Sequence, residues 1–301
     1  MRANKKEPFW CLAGLLAILL ISSSSVLAQT DDANKAKELY NQAIKTTNTA
    51  EAEKLYKAAI EKDPTFVDAY INLGALYFSN KDYDDAAKMF KEAADKDPKS
   101  ADAFVNLGRV NYTLRRWAEA ESAFNSAIAL DPKNGDYYKE LAKVYYRKGR
   151  EDYPQMVAAL EKCHANGAGD YLTYYLLGKG YKEGGDNTKA IASFKKSIEL
   201  KEDNDNAHFA LGQIYLSQEK YPTAASEFNR ALKLDPKSWR AAYNFAVAQE
   251  SGDPENYKDN IAAWEQFIQV AKKNPQANKD LNVAEAHVKE LKDALEQAQL
   301  Q

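Results

Sequence analysis

The chain has 301 residues, 45% of them hydrophobic, with 13 glycines and nine prolines. Its 41 basic side chains face 44 acidic ones, a formal charge of −3. No basic field therefore draws the chain to nucleic acid.

Residues 1–28 read differently from the rest. Arg2, Lys5 and Lys6 give a positive start, diluted by Glu7. Phe9 to Ile21 is an apolar run, four serines follow, and Val26-Leu27-Ala28 closes the segment. Small residues at the end of a short apolar stretch mark a secretory signal peptide, with cleavage expected after Ala28. The alternative is an uncleaved N-terminal anchor, since Phe9 to Ala28 is about long enough to span a bilayer. Cys11 sits too early, among bulky residues, for a lipoprotein attachment site. Cleavage removes three basic residues and one acidic one, which takes the formal charge to −5. It also leaves Cys163 alone, and a lone cysteine forms no internal disulfide. A periplasmic or secreted protein that stands on packing is the expectation, with no membrane insertion once the leader is gone.

After a short segment at 29–32 a fixed beat begins. Leu73-Gly74, Leu107-Gly108, Leu177-Gly178 and Leu211-Gly212 repeat one phrase, with glycines 34, 70 and 34 residues apart. Tyr56, Phe90, Phe124, Leu160, Phe194, Phe228 and Trp264 keep the same time, in steps of 34 or 36. Asp-Pro pairs ending at Pro64, Pro98, Pro132 and Pro236 fit it too. A period of this length means a stack of small copied units. Within 67–100, Tyr70, Leu73, Gly74 and Tyr77 share one helical face. Asn80-Lys81-Asp82 is turn material. Tyr83, Ala86, Phe90 and Ala93 then mark a second helix, and Asp97-Pro98 ends it, because proline cannot continue a helix. The small Gly74 and Ala86 let the two helices approach, and Phe90 fills the space left.

These residues resemble the tetratricopeptide repeat. The match is nearly complete in 67–100, 101–134 and 205–238. In 33–66 Tyr40 replaces the glycine. In 135–170 Ala142 does so, two extra residues lie near Gly149–Asp152, and Met156, Leu160 and Cys163 form the second helix. Residues 171–204 lack the proline. In 239–274 Phe245-Ala246 replaces Leu-Gly, and Trp264 and Phe267 follow a second extension. The resemblance implies an all-α, right-handed α-solenoid of about seven helix-turn-helix repeats. In 275–301 the residues Leu281, Ala284, Val288, Leu291, Leu295 and Ala298 run at 3-4 spacing. This suits a terminal helix with one wet face that caps the stack. The same spacing would also serve a coiled-coil dimer.

Nothing in the chain assembles a catalytic constellation, and no cofactor or metal is expected. His208 occupies a slot held by aromatics elsewhere and reads as core. Cys163 holds the slot of Ala93, Ala127 and Ala231 and reads as a buried thiol. His164 lacks a second Cys/His pair for zinc. His287, among acidic neighbours, reads as solvated. Gly178, Gly180, Gly184 and Gly185 lack the order of a phosphate loop. The sequon at Asn111 falls on a packing slot. Asp84-Asp85 suits a helix N-terminus.

In the tetratricopeptide family the first helices line a concave wall, where variable residues bind partners. Carried onto this chain, that wall includes Lys37, Asn41, Ile71, Phe78, Val105, Phe209, Gln213, Leu216 and Tyr243. Its middle holds Arg109, Tyr112, Lys139, Lys143, Tyr146, Arg147, Tyr175, Lys179 and Lys182. A basic strip interleaved with tyrosines, in an acidic protein, suits a peptide with acidic residues or a free C-terminal carboxylate. The family's carboxylate clamp is not expected: Lys37, Asn41 and Asn72 fall on three of its positions, but Asp102 and Asn106 stand where a lysine and an arginine belong. The expected function is a non-catalytic, exported scaffold that holds peptide segments of cell-envelope partner proteins. The alternative is a homo-oligomeric structural element joined through its terminal helix or repeat edges.

Overall fold

The computed structural model describes residues 30–300, which are helical with short connections and contain no strand. They fall into two compact units that divide at Pro132 and Lys133. The apolar run Phe9 to Ile21 and the cleavage point after Ala28 lie outside the described residues.

The first unit contains α1 (residues 30–45), α2 (Thr49–Lys62), α3 (Val67–Ser79), α4 (Tyr83–Lys96), α5 (Ala101–Thr113) and α6 (Trp117–Leu130). The second contains α7 (Gly135–Lys148), α8 (Tyr153–Ala165), α9 (Tyr171–Glu183), α10 (Asn187–Leu200), α11 (Asp205–Ser217), α12 (Tyr221–Leu234), α13 (Trp239–Gly252), α14 (Tyr257–Ala271) and α15 (Asn278–Gln299). In each unit neighbouring helices pack in succession.

Local chemistry starts and stops the helices. Ser100, Asn134, Asp170, Asn204 and Ser238 each accept a backbone N–H from the first turn of the helix they precede. Such caps satisfy donors that the helix leaves without partners. Between the helices of a pair the chain reverses through one left-handed residue: Lys81 (φ 70°), Arg115 (φ 58°), Gly185 (φ 81°) and Glu219 (φ 58°). The next N–H in each case reaches back to a carbonyl of the last helical turn, as in Asp82 to Tyr77 and Lys220 to Tyr215, both at 2.9 Å. This closure ends a helix without exposing its carbonyls.

The pairs close on one contact. A Cβ at Gly74 would lie 2.8 Å from the Phe90 ring, and one at Gly108 would lie 2.6 Å from the Phe124 ring. Gly178 meets Phe194 and Gly212 meets Phe228 in the same way, each at 2.7 Å. All four phenylalanines are buried. Where the phrase departs, the core is refilled. Ala142, Met156 and Leu160 are buried in the pair that begins at α7. The two-residue extension there becomes a 3₁₀ turn at Arg150–Asp152, entered through Gly149 at φ 138°.

At the C-terminal end, α15 buries Ala284, Val288 and Leu291 in one cluster with Trp264, Phe267 and Ala271 of α14. Leu281 and Leu295 are partly buried beside them, whereas Ala298 is exposed. The apolar stripe of α15 is therefore used within this chain, over the side of the last pair.

Two predictions follow from the core. Phe124→Ala leaves the Gly108 hollow empty and should cost about 3–5 kcal/mol. A urea titration of the variant against the parent measures it, and an unchanged midpoint would contradict the ring's placement. Cys163 is fully buried, and burial pushes its thiol up to about 11. In a Cys11→Ser background, a thiol reagent at neutral pH should leave the native protein unlabelled and label it in denaturant. Rapid native labelling would place the sulfur at the surface.

Candidate functional site

The strip expected from the sequence is divided between the two units. Arg109 and Tyr112 lie on α5 of the first, where Arg109 is exposed and the Tyr112 ring meets Trp117 edge-on at 5.5 Å. Val105, assigned to the same wall, is buried, because its turn of α5 faces the core. It is not a surface residue. Ile71 also packs into the core, against Tyr70, Ala93 and Phe90.

The remaining residues share the second unit. Lys139, Lys143, Tyr146 and Arg147 lie on α7, and Tyr175, Lys179 and Lys182 lie on α9. The structure sorts these cations into two kinds. Lys139 is already paired: its Nζ is 2.7 Å from Asp136 and 3.6 Å from Asp170. The bond to Asp136 pushes its pKa up against the opposing effect of burial. Lys143 is paired with Glu140 at 3.0 Å. Charge compensated in this way has little left for a ligand.

Lys179 and Lys182 are different. Both are half-buried, and neither has a carboxylate within ion-pair distance among the described residues. Lys179 instead donates to the Tyr146 hydroxyl at 2.9 Å and lies 4.6 Å from the centre of that ring and 5.8 Å from Tyr175. Tyr153 stacks on Tyr146 at 6.0 Å, so three phenols surround one ammonium. An aromatic face and a phenol oxygen both favour a cation. Burial pulls the Lys179 pKa down, and the bond to Tyr146 with the neighbouring phenols more than offsets it. Lys182 donates to Gln213 Oε1 on α11 at 2.6 Å. Burial lowers its pKa, the neighbouring Glu183 carboxylate opposes that, and Lys179 and Arg150 add to the lowering. A half-buried ammonium without a counter-ion is costly unless something supplies one. Phe209 and Leu216, expected on this wall as well, pack against the cluster around Phe228.

Sequence reasoning missed Tyr153 as a member of this group. The two-residue extension before α8 sets it out of step with its counterparts Tyr83 and Trp117. Gln213 was placed on the wall, but its bond to the preceding pair has no signature in spacing.

The other candidates are structural. His164 lies 2.9 Å from Thr173 Oγ1 and stacks on Tyr174 at 4.0 Å. Buried His208 bonds Glu227 at 2.7 Å. His287 corrects an expectation: it is not simply solvated. Its Nε2 is 2.9 Å from both carboxylate oxygens of Glu250, and its ring meets Trp264 edge-on at 5.4 Å. The acidic neighbour that matters lies on α13, far away in sequence. Among the described residues no group of His, Cys, Asp and Glu converges as a metal site would require. No helix of the described residues is long and apolar enough to cross a membrane.

Residues 24–235 match the family model described as the cilia and flagella-associated protein 70 C-terminal domain, and residues 209–278 match the tetratricopeptide repeat model. Superkiller protein 3 of Schizosaccharomyces pombe is 29% identical over 85 residues, which cover 28% of this chain and only 6% of that protein. The C-terminal part of a TPR repeat-containing protein from Cytophaga hutchinsonii superposes with a TM-score of 0.62 at 20% identity, covering 82% of this chain and 98% of that one. The Pseudomonas aeruginosa PilF structure does so with a TM-score of 0.58 at 18% identity, covering 75% of this chain and 98% of its own. At these identities the superpositions speak for the fold alone. Repeat phrase, glycine-on-phenylalanine packing and family model agree, and the chain belongs to the tetratricopeptide repeat family.

Proposed function

We propose that this protein is an exported, non-catalytic scaffold of the cell envelope that holds acidic or C-terminal peptide segments of partner proteins on the face carried by α7, α9 and α11. Tetratricopeptide repeat proteins are in general interaction scaffolds rather than catalysts. The single observation behind the finer reading is the pair Lys179 and Lys182, half-buried and without a carboxylate at ion-pair distance among the described residues, with Lys179 beside Tyr146, Tyr153 and Tyr175. An acidic side chain or a terminal carboxylate would complete the charge balance. Tyrosines around it supply rigid contact area at low entropic cost. Arg147, exposed on α7, extends the face. Arg109 and Tyr112 are proposed as peptide contacts on the first unit by itself, while Lys139 and Lys143 serve mainly their own carboxylates. Export rests on the charged start, apolar run and small residues that end at Ala28.

The peptide Gly-Glu-Leu-Glu-Leu-Gly, labelled with fluorescein at its N-terminus and free at its C-terminus, tests the site by anisotropy. Binding to the parent should weaken about tenfold in Lys179→Gln/Lys182→Gln. Equal binding by a variant that melts like the parent rejects the site. Export has its own test. N-terminal sequencing of protein taken from the envelope should begin at Gln29, and a chain that begins at its initiator end overturns cleavage.

A further inference from the structure

The last helix pair departs from the others where α13, α14 and α15 meet. Trp264 takes the slot that Phe124, Phe194 and Phe228 fill elsewhere. It is 7% exposed, and its indole N–H needs an acceptor that a phenylalanine would not. Glu250 provides one at 2.7 Å. The two preceding pairs hold Lys182 and Leu216 in the Glu250 slot, at steps of 34 residues. His287 of α15 donates to the same carboxylate, and its Nδ1 is 3.6 Å from Glu290. A carboxylate is thus held in place by two neighbours, neither of them a lysine or arginine.

Beside this group, α13 and α15 enclose a cleft of about 790 Å³. Tyr243, Val247 and Trp264 form its floor, and Val283 stands on its wall at 67% exposure. Asp280 and Glu290 stand on the rim. Asp280 has no ion pair among the described residues. The separation of charge along α15 is one-sided. The helix also carries Lys279, Lys289 and Lys292, yet none of them lines the cleft, and Lys292 is bonded to Glu265 of α14 at 2.8 Å. An apolar floor with an acidic rim and no lysine or arginine takes a ligand of opposite charge that also has something apolar to bury. Arginine and lysine meet both demands, since their stems lie on apolar surface while their heads reach a carboxylate.

We propose that this cleft binds a peptide segment carrying an arginine or lysine beside an apolar residue. It is a second docking surface, distinct in sign from the lysine–tyrosine face on α7 and α9. Asp280 and Glu290, about 15 Å apart along α15, each offer one carboxylate to a cation, and Tyr243, Val247 and Val283 hold the apolar neighbour.

The probe is fluorescein-labelled Gly-Leu-Arg-Leu-Arg-Gly, amidated at its C-terminus, titrated with the whole protein at low salt. Binding should weaken about tenfold in Asp280→Asn/Glu290→Gln, two exposed or half-exposed changes that leave Glu250 in place. The glutamate peptide described above should bind this variant as it binds the parent. Conversely, Lys179→Gln/Lys182→Gln should retain the arginine peptide. The cleft is overturned if the arginine peptide does not bind the parent, or binds the Asp280/Glu290 variant unchanged. It is also overturned if that variant, melting like the parent, loses both peptides together, because the two faces would then not be distinct.

Discussion

A phenylalanine ring resting where a glycine has no side chain holds each regular helix pair together. At Gly108 the ring of Phe124 comes so close that a single added carbon would lie 2.6 Å from it. Only that approach lets the two helices of a pair share one buried seam without a void. Most other positions follow from it. Alanines such as Ala86, Ala120, Ala190 and Ala224 are fully buried because the helices are close. The outward residues of the first helices are released from packing and free to serve other ends.

The second unit uses that freedom in two opposite ways. On α9 the Lys179 ammonium is held among phenols and Lys182 is bonded to Gln213, neither with a carboxylate at ion-pair distance among the described residues. On α13 and α15 carboxylates surround an aromatic floor with no lysine or arginine in the lining. Charge that a protein balances internally adds little to recognition, and charge left unbalanced in a partly desolvated place adds more. By that criterion Lys139 and Lys143 belong to the scaffold, and Lys179, Lys182, Asp280 and Glu290 belong to its proposed ligands.

The irregular pairs show how a repeat accommodates change. Across the extension near Gly149, Tyr153 keeps the contact its counterparts make, but stacked on Tyr146 where Phe78–Tyr83 and Tyr112–Trp117 meet edge-on. Replacing phenylalanine by Trp264 introduces a buried N–H, and Glu250 and His287 form a network around it. At Trp264 the departure from the repeat brings polar chemistry to a slot that phenylalanine fills in the regular pairs.

Much of the fold was legible in the sequence because periodicity is itself a physical constraint. A glycine recurring at steps of 34 and 70 residues, an aromatic at a fixed offset and polar turn residues between them leave few packings open. They determined the helix pairs, the buried phenylalanines and alanines, the buried Cys163 and the family. Helical spacing also indicated which face Lys139, Lys143, Lys179 and Lys182 occupy. It did not reveal their partners, because a face is a property of one helix, whereas an ion pair, a phenol cage or a histidine bonded to Glu250 depends on a second. The tertiary structure alone decided that Lys139 is neutralised, that Lys179 is not, that Val105 turns inward and that His287 reaches across to α13. Those outcomes depend on ångström-scale approaches between helices that are distant in sequence, and a repeat pattern sets the order of such helices but not the meeting of their side chains.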